Sequence, residues 1–283
     1  MGSRTHVELG RRADLGADCS SCFGLCCVAL AFVKSTDFPH DKPAGEPCEN
    51  LDGDDACSIH SHLRDRGFKG CTVFDCFGAG QKVSQHTFAG RSWRDDPQVG
   101  AEMFAAFPVV RRLHELLWYL GEAIELVRAG DRTGHDPTPW VDAFDEVRRL
   151  TDLAPQDLVD LDVDAAYDSA RDLLLEASEI ARSDARPGSG RVPEPGSDLI
   201  GANLAGSDLT GATLRGSVAI AADLSGARLR RCDVLGVDLR DADLSGADLS
   251  SAIYLTEMQV NSARGDARTA LPQGFDRPSH WTP

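Results

Sequence analysis

Eight of the nine cysteines stand within 58 residues, at Cys19, Cys22, Cys26, Cys27, Cys48, Cys57, Cys71 and Cys76. Thiolates crowded in this way form disulfides, bind soft metals or run redox chemistry. The spacing favours a metal. Cys19-x2-Cys22 brings two sulfurs to one ion across a tight turn, with Cys26 near enough to add a third. The adjacent pair is informative in another way. Neighbouring side chains ordinarily point apart, so Cys26 and Cys27 are expected to serve two centres, or one as a ligand and the other as a buried thiol. Eight thiolates also suffice for two four-sulfur sites. All eight are therefore candidate metal ligands, with disulfides, a redox pair or inert buried thiols as the alternatives.

The order Cys19-x2-Cys22-x3-Cys26-Cys27, followed by Pro47-Cys48, Cys57-Ser58-Ile59-His60, Arg64, Cys71 and Cys76, resembles the zinc- or iron-chelating CxxCxxCC (YkgJ-like) family over residues 18–80. One residue more separates Cys22 from Cys26 than in that family. The resemblance implies chelated zinc or iron, the latter also as an iron–sulfur centre, and implies no particular reaction. Soft thiolates leave copper open as a third metal. His60 has ligand spacing from Cys57, and His62 and His86 are further candidates among the histidines near the cysteines; a structural role is the expectation.

The elements that must position these thiols come from a chain of 283 residues, enough for two or three domains. The net charge of −16 divides as −3, −10 and −3 over residues 1–100, 101–196 and 197–283. Such a balance argues against a nucleic-acid partner, whose binding is driven by Lys and Arg. Arg11-Arg12 precedes an apolar run, Cys22–Val33, that is full of cysteines, lacks a small-x-small cleavage site and is too short to span a bilayer. His6 breaks the myristoylation pattern. The reading is a cytoplasmic chain with no membrane partner, and in that compartment reduced thiols favour metal over disulfides.

Residues 76–93 read as an ordered loop leaving the cysteine region; Gly78-Ala79-Gly80 lacks the rest of a phosphate loop. Residues 96–184 read as helical. Asp96-Pro97 and Thr138-Pro139 are cap-plus-proline starts. Val109, Leu113, Leu116, Leu117, Leu120, Ile124 and Val127 keep helical spacing, as do stripes beginning at Trp140 and Val163. Each helix is expected to bury one stripe beneath an acidic exterior. Two motifs fail: Trp118 stands where a zinc-protease helix beginning at His114-Glu115 needs its second His. Ala165 stands where the calcium loop begun by Asp160-x-Asp162-x-Asp164 needs Gly.

A Pro/Gly/Ser linker at 185–196 leads into a five-residue repeat. Its central residues run from Leu199 through Leu249 in steps of five, with Ala219 and Val234 as variants and Tyr254 in the twelfth unit; two residues before each stands a small or compact side chain. Cys232 occupies such a place and reads as buried and apolar. The pattern resembles the pentapeptide-repeat family, with A(D/N)LXX units over residues 197–256. That resemblance implies a right-handed quadrilateral β-helix with Leu along its axis. Twelve units would make three coils, about 15 Å tall at the usual strand spacing. The open end needs a cap, expected as a helix near Thr256–Ala263.

The expected fold class is thus a multi-domain α+β chain: an N-terminal arm at 1–17, an irregular cysteine-rich metal domain at 18–95, helices at 96–184, the linker at 185–196, the β-helix at 197–256 and a capping helix with tail at 257–283. No catalytic motif is present. The function expected is a metal-binding protein with a repeat scaffold acting through a protein partner. The alternatives are a metalloenzyme or Fe–S oxidoreductase on the cysteine region, and topoisomerase protection by the repeat. The last is weakened by a repeat block of only three coils with eight Asp against five Arg.

Overall fold

Asp96 opens the longest element. Its carboxylate accepts the Gln98 backbone N–H at 2.9 Å, so Pro97 begins helix α4 (Pro97–Ala129) without a lost donor. The structure is a computed structural model and describes residues 12–129, 135–188 and 192–281. The start of the N-terminal arm, with His6 and Arg11, and residues 189–191 of the linker lie outside these. Three short helices precede α4: α1 (Leu25–Val28), α2 (Lys69–Val73) and α3 (Ala79–Gln81). After it come α5 (Thr138–Leu150), α6 (Pro155–Val159), α7 (Val163–Arg182) and α8 (Glu257–Ser262).

The expectation of one buried stripe per helix holds for α5, where Trp140, Phe144 and Val147 are buried. It fails for α4. Leu113, His114, Leu116, Leu117, Trp118, Tyr119 and Leu120 are all buried, a wider face than a single stripe provides, while Ala101, Ala105, Pro108, Glu125 and Arg128 are exposed. Residues 76–93 also depart from a simple loop. They form α3 and then a π-helical turn, Lys82–Thr87.

Two compact units divide the described chain. The first takes residues 12–121 and 138–172, and the second takes 122–129, 135–137, 173–188 and 192–281. In the first, Phe77 and Trp118 rings meet at 5.8 Å and Arg111 Nε donates to the Asp75 carbonyl at 2.9 Å. The cysteine segments are thereby fastened to α4.

In the second unit every twenty residues bring the chain back beside itself. Parallel bridges join Asp198 to Val218, Asn203 to Asp223, Asp208 to Arg228 and so on through Asp233 to Ile253. Four pentapeptides make one turn. Inward positions are filled as their sizes dictate: Leu209, Leu224, Leu244 and Leu249 are buried, as are Ala222, Ala227, Ala242 and Ala247. Cys232 is buried among them. The Asp or Asn between these positions has a structural task of its own. Asp223 and Asp243 accept the backbone N–H two residues on, from Ser225 at 3.0 Å and Ser245 at 2.9 Å, which closes each corner as an Asx turn. Corners also require a positive φ, supplied by Gly at 226 and 246 but by Ala221, Arg231 and Asp241 elsewhere.

Tyr254 leaves the register. It sits at φ 62, and its hydroxyl donates to the Leu174 carbonyl at 2.9 Å, while Leu255 joins the repeat core. Thr256 then caps α8 with a reciprocal capping box to Gln259. Arg264 and Ala270 extend the ladder by bridging to Asp243 and Asp248, and Val260, Ala263 and Trp281 pack into the same core.

Candidate metal centre

Asp18 builds the first turn of the cysteine segment. It accepts the Ser20 N–H at 3.0 Å and the hydroxyls of Ser20 and Ser21 at 2.6 Å each, shaping the 3-10 turn Cys19–Ser21. Residues from the stretch 81–93 then hold that turn from behind. Gln81 Nε2 donates to the Gly16 carbonyl at 2.7 Å and Gln85 Nε2 to that of Ser21 at 2.8 Å. Trp93 Nε1 donates to Phe23 O at 2.8 Å, and the Ser84 hydroxyl accepts the Phe23 N–H at 3.1 Å. Gly24, in the left-handed region at φ 65, starts α1 and so carries Cys26 and Cys27 away on one helical turn.

Cys22 and Cys76 both lie against Gly80. A Cβ placed on that glycine would stand 2.7 Å from Cys22 Sγ and 3.9 Å from Cys76 Sγ. The absence of a side chain there is what lets thiols from opposite ends of the region pack against the same backbone. Cys76 is held by its neighbours: Phe77, at φ 49, has its carbonyl 2.7 Å from His114 Nδ1. His114 is thus a core histidine, as expected. Burial lowers its pKa to about 4, leaving the ring neutral with its proton toward Phe77.

Cys26 and Cys27 do not diverge. Their Sγ atoms are 3.9 Å apart, which corrects the expectation drawn from adjacency; both lie on the four-residue helix α1, where the two side chains lean toward each other against the ordinary divergence of neighbouring helical positions. Cys27 also has Cys57 as a hydrogen-bond partner. The backbone N–H of Cys48 donates to the Cys27 carbonyl at 2.9 Å, and Cys27, Cys48, Cys57 and Cys71 all pack into one small core with Leu63 and Phe68. Of the eight, Cys19 and Cys26 are exposed, Cys48 is buried and the others are half-buried. His60, His62 and His86 are exposed.

The crowding leaves an electrostatic mark. Hydrogen bonds with Cys26 and Cys57, and then burial, push the Cys27 thiol far up. Burial pushes Cys22 and Cys76 up to about 12. Without a cation these sulfurs hold their protons at neutral pH. All nine cysteines are thiols rather than disulfides. Among the described residues no three His, Cys, Asp or Glu side chains are gathered as a ready ligand set for a metal; the geometry just given consists of sulfur pairs and shared packing. Sequence reasoning missed Gly80, Gln81, Ser84, Gln85 and Trp93, whose partners lie more than sixty residues away or, for Gly80, are marked only by a missing side chain.

Among the described residues no helix is long and apolar enough to cross a membrane. Compared with known proteins, the chain matches the family described as pentapeptide repeats in eight copies, over residues 197–234 and 220–253. Over 269 residues it is 55% identical to a protein of Bacillus subtilis (strain 168) described as "Uncharacterized protein YybG", covering 95% of either chain. No solved structure matches it.

Proposed function

The chain belongs to the family that includes YybG of Bacillus subtilis, and we propose that it is a cytoplasmic metal-binding protein whose thiolates hold zinc or iron beside a pentapeptide-repeat scaffold that engages a protein partner. The observation that carries the reading is the Cys26–Cys27 sulfur separation of 3.9 Å. Two thiolates on one tetrahedral zinc ion lie about 3.8 Å apart, a separation that the Cys26–Cys27 pair matches. The closeness of Cys22 and Cys76 to the same residue, Gly80, supports the same reading.

The residues fit the group chemically. Dry, crowded thiols resist ionisation, and a bound dication reverses that preference by supplying the charge their surroundings lack. Cys26 and Cys27 would be donors to one ion, with Cys48, Cys57 and Cys71 packed beside Cys27 on the Leu63–Phe68 side; Cys22 and Cys76 are the candidate donors against Gly80, and Cys19 completes the set. Zinc bound there would be a structural clasp, while iron would add one-electron chemistry. The chain's own part is to bring the two halves together: α1 presents one pair, and the rung from Cys48 N–H to the Cys27 carbonyl brings the second half alongside.

For the repeat, the fold we propose is the right-handed quadrilateral β-helix. Bridges between residues twenty apart support it, as does the alternation of buried Ala and Leu. Reduced thiols suit the cytoplasm. Replacing Cys22 or Cys71 by Ser should each lower the metal content of the purified protein, because each removes a donor from a different half. If both variants retain the wild-type metal content, thiolate ligation by these two sides is wrong.

A further inference from the structure

Lys42 is a buried lysine, 5% exposed. Its backbone pairs with Phe32 in an antiparallel bridge, which turns the side chain inward beneath the Phe32 ring, 5.6 Å from its centroid. The ammonium group then meets three carbonyls: Val28 O at 3.4 Å, Pro43 O at 2.9 Å and Glu46 O at 2.8 Å. Val28 directly follows Cys27, and Glu46 stands two residues before Cys48. The same two segments are joined by Gly45 N–H to Val28 O at 2.8 Å and by Cys48 N–H to Cys27 O at 2.9 Å. Lys42 Nζ therefore sits behind the rung that carries two of the cysteines.

Carbonyls satisfy its hydrogens but not its charge. A buried ammonium is costly unless an anion accompanies it, and among the described residues no carboxylate forms an ion pair with Lys42. The acidic groups that act on it are Cys48 and Cys27, then Glu46 and Cys26, and Glu46 is itself exposed. Three of the four are thiols.

We propose that Lys42 is the counter-charge of the thiolate centre built on Cys27 and Cys48, a positioning residue that ties both cysteine segments through their carbonyls and offsets the negative charge the metal leaves on its thiolates. The inference rests on the metal reading above. A divalent ion with four thiolates keeps roughly two negative charges, and in a dry site that surplus is what a fixed cation stabilises.

The test uses the reduced, metal-free full chain as wild type, Lys42→Met and Lys42→Arg, with cobalt(II) as the probe. Thiolate-to-cobalt absorption reports ligation, and competition with a chelator reports affinity. Lys42→Met should weaken cobalt binding about tenfold or more, while Lys42→Arg stays within about threefold of wild type, in the range expected for a residue behind the ligands. In iron-loaded protein Lys42→Met should move the Fe(III)/Fe(II) potential to more negative values and Lys42→Arg should leave it near wild type, a shift that lost packing alone does not produce in that direction. Should Lys42→Met fail to fold, Lys42→Gln is read in its place, since it keeps N–H donors for the carbonyls without the charge. A neutral variant with wild-type cobalt affinity, or with an unmoved potential, overturns the assignment of Lys42 even though wild type binds metal. A wild-type chain that shows no thiolate–cobalt absorption overturns the metal reading itself, and the role of Lys42 with it.

Discussion

Gly80 and Cys22 are packed so closely that a methyl group on the glycine would stand 2.7 Å from Cys22 Sγ and 3.3 Å from Cys22 Cβ. Sulfur and carbon cannot share that distance, and Cys22 is held by α1 on one side and by the turn at Asp18 on the other. Gly80→Ala should therefore push Cys22 away from Cys76. The expected result is a lower metal content with the repeat still folded, measured by metal analysis alongside thermal unfolding. Unchanged metal content in this variant would mean that Cys22 and Cys76 do not act at a common place.

The repeat core offers a second test. Leu224 is 1% exposed between Ala222 and Ala227. Leu224→Asp puts an unpaired carboxylate into this buried cluster, at a cost of several kcal/mol. Chemical denaturation should show the second unit unfolded or strongly destabilised. Native stability in that variant would mean that Leu224 does not face the repeat core.

A buried ion pair in the same unit gives a graded case. Arg215 holds Asp233 at 2.7 Å, and the Asp233 side chain is 1% exposed. Removing one partner leaves the other charge uncompensated. Asp233→Ala should destabilise the repeat by about 3–5 kcal/mol, more than Asp233→Ala combined with Arg215→Met. A double-variant loss equal to the sum of the losses of Asp233→Ala and Arg215→Met measured singly would show that the pair is not coupled.

His114 sets a pH dependence. Its pKa falls from 6.5 to about 4 because the ring is buried. Between those values the unfolded chain binds a proton that the folded chain refuses, so the contribution to stability is complete above pH 6.5 and is lost as the pH falls toward 4. The full effect is about 3 kcal/mol. His114→Asn, which keeps a donor for the Phe77 carbonyl, should flatten this part of the stability profile of the first unit. An identical acid profile in the variant would remove His114 as its source.

How much of this was legible in the residues depends on how local each signal is. The repeat register could be read because period and core coincide: the Leu at each centre and the Ala two residues before it are the buried positions. The reason for Asp or Asn between them could not be read as mere polarity; Asp223 earns its place by accepting the Ser225 N–H. Corners at Arg231 and Asp241, both at positive φ, carry no glycine to announce them. In the cysteine region the thiols were conspicuous, but their supports were not. Trp93 bonds Phe23 across seventy residues, and Lys42 looks in the sequence like any surface lysine. The helix α4 shows the opposite failure, since the periodic apolar stripe is only part of a wider buried face that takes in His114 and Trp118 as well.

The most direct measurement of the central claim is elemental analysis of the full chain, purified under reducing conditions with no metal added, together with its intact mass. The account predicts at least one tightly bound zinc or iron ion per chain, lost from Cys27→Ser, and a mass showing all nine cysteines reduced once the metal is removed. Iron would colour the protein and respond to reductant; zinc would do neither. A chain that carries no metal and whose mass shows intramolecular disulfides among Cys19–Cys76 would contradict it.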